Sequence, residues 1–259
     1  MKFAPAQVAI AALITLSGAA FAQTATPVAV DPVSYNISAV SNYKFRGQDQ
    51  DQSKTNGFKP ALQGGVDYAN PNGFYVGNWN STVNFKDPKN NKANVEVDLY
   101  GGYKFPLGEI GMDVGALAYI YPGATKANTT ELYAAASYGP VTAKYSSTVS
   151  SGYFGIGAVG AHDARGTGYL NLAFAQEIMP KVTLKASVGS TLFTTSGKKA
   201  GGVDYMDYSV GAAYDLGEGM SVTGFYAGGN KKNAFNYSAE GSTKSLNSGT
   251  FIVMLTQAI

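Results

Sequence analysis

The chain has 259 residues, a formal net charge of +2, no cysteine and one tryptophan; glycine (32) and tyrosine (18) are abundant, and mean hydropathy is close to zero. Without cysteine there can be no disulfide, thiol nucleophile or cysteine-based zinc site, and so small a charge excludes a nucleic-acid partner held by bulk electrostatics.

The first segment, "MKFAPAQVAIAALITLSGAAFA", has one cation at Lys2, an apolar stretch from Val8 to Leu16, and Ala20 and Ala22 around Phe21. This pattern predicts a signal peptide over 1–22, cleaved after Ala22. Its apolar run is shorter than the roughly 20 residues a spanning helix needs. Residues 23–259 then form a secreted chain of net charge +1, the +2 of the whole less Lys2. Segment 23–32, "QTATPVAVDP", reads as a short periplasmic lead-in to one domain.

From there the chain alternates with a period of two. In "VSYNISAVSNYKF", Val33, Tyr35, Ile37, Ala39, Tyr43 and Phe45 fall on one face and Ser34, Asn36, Ser38, Asn42 and Lys44 on the other. "NVEVDLYGGYK" opposes Val95, Val97, Leu99, Gly101 and Tyr103 to Asn94, Glu96, Asp98 and Lys104. "KVTLKASVGSTLF" opposes Val182, Leu184, Ala186, Val188 and Leu192 to Lys181, Thr183, Lys185, Ser187 and Thr191. Such strands separate two different surroundings. With turn residues as boundaries, strands are predicted at 33–45, 58–69, 74–84, 94–104, 110–121, 130–138, 141–150, 167–176, 182–193, 203–214, 220–228 and 249–258.

The connections alternate as well. Tight ones at 70–73, 105–109, 139–140, 176–181 and 215–219 take turns with longer polar ones at 46–57, 85–93, 122–129, 151–166, 194–202 and 229–248. Short turns on one side and long loops on the other are the layout of an outer-membrane barrel. Ten residues at about 3.3 Å each and a tilt of about 40° climb roughly 25 Å, the height of the apolar band. The predicted fold is therefore all-β: an antiparallel up-and-down transmembrane β-barrel of about twelve strands in the outer membrane of a Gram-negative bacterium.

"SNYKFRG", "PALQGGVDY", "GFYVGNW", "VEVDLYGGY", "YIYPG" and "ELYAAASYGPVTAKYS" resemble the TorF-type porins of proteobacteria, the Gcw_chp conserved hypothetical outer-membrane proteins. The resemblance covers nearly all of 23–259 and implies an outer-membrane barrel with a porin role. The chain ends in Ile259 where such barrels commonly end in an aromatic residue read by the assembly machinery, although Phe251, Val253, Leu255 and Ile259 still alternate outward.

Candidate catalytic groups are few. "GIGAVG" at 155–160 matches a dinucleotide-binding fingerprint, but "AHDARGTGY" after it cannot open a helix, and its flanking strands pair antiparallel. His162 with Asp163 and either Ser146 or Ser150 would make a triad only if the fold brought them together. Glu96 and Asp98 are paired carboxylates of the kind glycoside chemistry uses, yet as same-face strand neighbours they read as hydrated lumen charges. No enzyme activity, cofactor or metal is expected.

The inward face on this register carries Lys44, Asp67, Glu96, Asp98, Asp113, Glu131, Lys144, Lys185 and Asp207 as pore-lining candidates. Loop 151–166 contains Tyr153, Phe154, Ile156 and Val159, which either cap paired strand extensions or fold inward as a constriction. The expected function is a narrow passive diffusion channel for ions and small hydrophilic solutes with weak cation preference; the alternative is a structural or surface-interaction barrel with a closed lumen. Expected partners are outer-membrane lipid, lipopolysaccharide (contacted through the pairs Lys198–Lys199 and Lys231–Lys232), the solutes, and the barrel-assembly machinery during biogenesis.

Overall fold

The computed structural model describes residues 32–52, 58–231 and 245–259. The predicted signal peptide and all but the last residue of the lead-in lie outside the described residues. The strands are β1 (Val33–Val40), two short ones, β2 (Lys44–Phe45) and β3 (Gln48–Asp49), then β4 (Ala61–Ala69), β5 (Phe74–Lys86), β6 (Lys92–Leu107), β7 (Ile110–Ile120), β8 (Thr129–Tyr138), β9 (Val141–Thr148), β10 (Gly168–Met179), β11 (Val182–Leu192), β12 (Tyr205–Gly217), β13 (Met220–Gly229) and β14 (Thr250–Ala258).

All except β2 and β3 form one closed antiparallel barrel in which each strand pairs with its sequence neighbours and β1 pairs with β14. The seam runs from Asn36↔Ala258 to Val40↔Met254 and is extended by reciprocal backbone bonds of 2.9 Å between Tyr35 and Ile259. Closure follows from the surroundings, because an open edge in hydrocarbon would leave a row of backbone N–H and C=O groups without partners. The side chains obey the alternation. Tyr35, Ile37, Leu62, Leu99, Leu132, Leu170, Leu172, Val210 and Phe251 stand exposed on the outer wall, while Ser38, Gln63, Asp98, Ser146, Ser187 and Ser209 are buried on the inner one. Turns at 70–73, 108–109, 139–140, 180–181 and 218–219 and both ends of the described chain share one rim; the long connections share the other.

The abundance of tyrosine and glycine has a geometric cause. On the inner wall Tyr100, Tyr75 and Tyr133 lie directly across the ladder from Gly77, Gly102 and Gly115, and Tyr169 lies diagonal to Gly189. A Cβ at any of these glycines would run into the facing tyrosine. Each ring therefore lies flat on backbone, and three of the hydroxyls reach a carboxylate: Tyr100 to Asp67 at 2.6 Å, Tyr75 to Asp113 at 2.7 Å and Tyr169 to Asp207 at 3.1 Å.

One predicted strand is corrected. The stretch 33–45 does not run straight through the wall: β1 ends at Val40, and the chain then turns into the barrel. Tyr43 and Phe45, expected on the lipid face, are buried inside with 5% and 9% exposure. The predicted loop 46–57 accordingly begins inside the barrel, and its residues 53–57 lie outside the described residues. The reason is physical: an apolar side chain meets the same demand against hydrocarbon as inside a packed aromatic cluster, so alternation alone cannot tell the two apart.

Candidate pore and its inward hairpin

Eight of the nine candidate lining residues sit on barrel strands with their side chains on the inner wall. Glu96 is fully buried and accepts from Tyr43 at 3.0 Å and Tyr121 at 2.9 Å. Asp98, next on the same face of β6, is 4% exposed, and its Oδ1 has no hydrogen-bond partner among the described residues. Asp67, Asp113 and Asp207 are the carboxylates held by tyrosines, Lys144 Nζ stands 3.9 Å from the centre of the Tyr133 ring, and Lys185 is partly exposed on β11. The ninth is corrected: Lys44 is not on the wall but on the hairpin made by β2 and β3, where its Nζ pairs with Asp49 at 2.8 Å.

This hairpin is the feature the sequence reading missed. It turns on Arg46 and Gly47 with φ of 46° and 75° between Phe45 and Gln48, a two-residue connection of the type that needs left-handed backbone at both positions. The "RG" dipeptide was the available signal, blurred because arginine is uncommon at the first of these positions. The tip crosses the lumen. Arg46 makes a bidentate pair with Glu131 on β8 at 2.7 and 2.9 Å, and its guanidinium lies 4.0 Å from the ring centre of Tyr169 on β10. Those two strands flank β9, which stands opposite β1 in the ring. The stem is anchored by Lys44 Nζ donating to the carbonyl of Leu246 at 3.0 Å and by the Asp49 N–H donating to the same carbonyl at 2.9 Å.

Loop 149–167 meets the hairpin. The regular ladder between β9 and β10 ends at Ser147↔Gly168, and backbone bonds still join the two arms beyond it: the Thr148 N–H donates to Thr167 at 2.9 Å, the Gly166 N–H to Thr148 at 2.8 Å and the Ala164 N–H to Ser151 at 2.7 Å. Tyr153 is buried and accepts from Arg46 at 3.0 Å, and Phe154 packs edge-on against Phe45 and Tyr119 at 5.2 and 4.9 Å. Ile156 is half-buried against Tyr153 and Phe193, whereas Val159 is exposed. Gly155, Gly157 and Gly160 all have positive φ, so the fingerprint glycines serve the path of the loop. His162 and Asp163 stand exposed while Ser146 is buried in the wall and Ser150 bonds backbone at Thr130 and Gly152; no triad is assembled.

Phe154, like Arg46, is a non-glycine residue in left-handed backbone, with φ of 47°. Such a residue costs on the order of 1–3 kcal/mol and persists where its surroundings over-determine it. The other non-glycine residues of this kind among the described residues, Asn90, Lys181 and Glu218, lie in surface turns. Arg46 and Phe154 come from separate connections and meet inside the barrel, in a cluster with Tyr43, Phe45, Trp79, Phe85, Tyr119 and Tyr121.

Burial is graded along the axis. Toward the loop rim Glu96, Glu131, Tyr121 and Thr191 are at most 1% exposed, while toward the turn rim Tyr75, Lys104, Asp113 and Lys185 are partly exposed. The described part of the interior is thus a deeply buried, aromatic and ion-paired upper half above a more exposed, charged lower half.

A closed antiparallel ring with an apolar outer wall, a charged inner wall and loops of unequal length on its two rims defines an outer-membrane β-barrel of the porin architecture. The chain belongs to the bacterial family of unknown function Gcw_chp, whose model matches residues 22–259. Among solved structures it is similar to the NanC porin, with a TM-score of 0.55, 8% identity, and coverage of 86% of this chain and 98% of that one. It is similar also to the KdgM porin, with a TM-score of 0.51, 6% identity, and coverage of 87% and 97%. At such identities the likeness establishes the fold alone. No curated protein matches the sequence.

Proposed function

We propose that this chain is a non-enzymatic diffusion channel of narrow bore in the bacterial outer membrane, a TorF-type porin passing ions and small hydrophilic solutes. The carrying observation is the inversion of polarity across one strand: at β6, Leu99 is 49% exposed outward and Asp98 4% exposed inward. Beyond the buried pairs, Lys104, Asp113 and Lys185 on the same inner wall are partly exposed, which leaves that part of the interior open to water or solute; burying charge without either would be costly. With Lys44–Asp49 and Arg46–Glu131 paired off, Asp67, Glu96, Asp98, Asp113 and Asp207 outnumber Lys104, Lys144 and Lys185 on the inner wall, which supports a weak cation preference. Lipid and lipopolysaccharide surround the apolar belt and the assembly machinery inserts it. Lys198, in the loop pair, is engaged with Asp204 at 2.7 Å, and Lys232 lies outside the described residues.

Planar-bilayer recording tests this reading. Discrete conductance steps are expected, with a reversal potential of the cation-selective sign in a KCl gradient; silence from correctly inserted protein would remove it. One observation favours the second reading, a closed structural or surface-interaction barrel: the Arg46–Glu131 pair and the aromatic cluster together cross the lumen. Secretion with cleavage after Ala22 belongs to the same proposal, and N-terminal sequencing of the membrane-extracted protein should begin at Gln23.

A further inference from the structure

We propose that Glu131, Tyr119 and Tyr169 form a guanidinium-binding site in the channel wall, occupied in the resting barrel by the protein's own Arg46, and that solutes bearing a guanidinium group compete for it and displace the hairpin. The proposal rests on the channel reading above and names the solute class.

The site is built for a planar, forked cation. Glu131 presents both carboxylate oxygens to the two Nη atoms at 2.9 and 2.7 Å, the bidentate geometry that a guanidinium satisfies and an ammonium does not. The Tyr169 ring lies 4.0 Å from the guanidinium carbon, within the range of a favourable cation–π contact. Tyr119 reaches the outer oxygen of Glu131 at 3.4 Å. Glu131, Tyr119 and Tyr169 belong to β8, β7 and β10, so they stay in place if the hairpin moves. Phe45 and Tyr153, which complete the enclosure at 4.7 and 5.8 Å, come from the two inserted connections and would leave or shift.

Release of the occupant would relieve one local cost. Arg46 sits in left-handed backbone, a strain that release removes. Lys44 and Asp49 neutralise each other within the hairpin, so the ion pair that withdrawal separates is Arg46–Glu131, together with the hydrogen bonds of Arg46 to Tyr153, Gln48 to Tyr205 and the stem to Leu246. What stays behind is a wall in which Glu131 has lost its bidentate partner and keeps Lys144 and Tyr119 as neighbours, and in which Asp98 and Asp207 each have a carboxylate oxygen that no described group bonds. That wall attracts a cation, and its fork and ring select the guanidinium.

The protein's single tryptophan reports the event, because Trp79 is buried and packs edge-on, 5.6 Å between ring centres, on Tyr43 at the foot of the hairpin. The test titrates the purified wild-type barrel in detergent with L-argininamide, and in parallel with L-lysinamide at equal ionic strength. Argininamide should red-shift Trp79 emission and make it accessible to acrylamide in a saturable way. Half-effect is expected in the millimolar range or above, since the competitor works against a tethered arginine. Lysinamide should act several-fold more weakly. Arg46→Lys should lower the argininamide requirement several-fold, and Glu131→Gln should give red-shifted emission without ligand and no response to it. Equal action of the two amides, or a flat wild-type titration, overturns the site; the wild-type result decides even if neither variant assembles. Bilayer recording separates the two proposals: a saturable optical response without current overturns the channel and leaves the site, whereas steady current with a flat titration overturns the site and leaves the channel.

Discussion

Exchanging Leu99 for lysine and, separately, its neighbour Asp98 for lysine sets the same cation on the two faces of one strand. Leu99 is the eighth of the 16 residues of β6, at its midpoint, and faces outward with 49% exposure. A lysine at the bilayer midplane on the lipid face costs about 2–4 kcal/mol. At 1.4 kcal/mol per tenfold, Leu99→Lys should lower the folding equilibrium constant by about thirty- to several-hundred-fold. Asp98→Lys keeps every backbone bond of the ladder and places its ammonium beside Glu96 and Glu131, the two carboxylates nearest in charge interaction, so its cost should be smaller than that of Leu99→Lys. Urea unfolding from phospholipid vesicles, followed by Trp79 emission, measures both, and the shift in gel mobility on boiling checks closure of the barrel. Equal losses, or a larger loss for Asp98→Lys, would show that the faces are assigned wrongly and refute the polarity argument on which the channel rests.

Gly189→Ala should destabilise the barrel by about 1–3 kcal/mol, since its methyl group would meet Tyr169 and the Asp207 carboxylate; Gly111→Ala, with only Ser137 at 3.9 Å, should be neutral in the same urea assay. Replacing residues 153–162 by a short Gly-Ser linker removes Tyr153 from Arg46 and Phe154 from the cluster. Single-channel conductance should rise several-fold, and an unchanged value would show that the loop does not limit flow. At Asp87, burial alone would raise the carboxyl pKa, but bonds from the Asn91 side chain and from backbone N–H groups of Asn91, Lys89 and Lys126 outweigh it and hold the group below the usual range. A depressed folded pKa contributes stability that is full above the ordinary aspartate value, near 3.9, and is lost as pH falls through the folded one. Loop 87–91 should therefore become sensitive to pepsin at strongly acid pH in the wild type, whereas Asp87→Asn should already be cleaved at the upper end of the acid range; identical profiles would contradict this.

Alternation made the barrel legible. Every predicted barrel strand except the first ends within about three residues of its observed bounds, because a wall between lipid and a polar interior imposes one period on each strand. The interior was legible only where it is polar. Trp79, Leu117 and Phe85 are buried inside, yet nothing in an apolar residue states which side of a wall it prefers when the inside is itself packed. The tyrosine and glycine counts were visible, whereas their pairing is a property of register between strands and appears only once the ladder is known. Arg46 escaped for a third reason: its partner Glu131 is 85 residues away, and a long-range pair leaves no local trace.

The hairpin grows from β1 and is tied to Leu246, just ahead of β14, so the polypeptide that enters the lumen is rooted on both sides of the seam. The seam also joins the most distant parts of the described chain: Ser38 and Thr256, 218 residues apart, bond across it at 2.8 Å. Contacts of such separation are late events in folding. The order of assembly is then constrained as in fitting a stopper fixed to the last stave of a cask. The hairpin is expected to seat among Glu131, Tyr169 and the aromatic cluster as β1 and β14 draw together, since its two roots and the seam are the same stretches of chain.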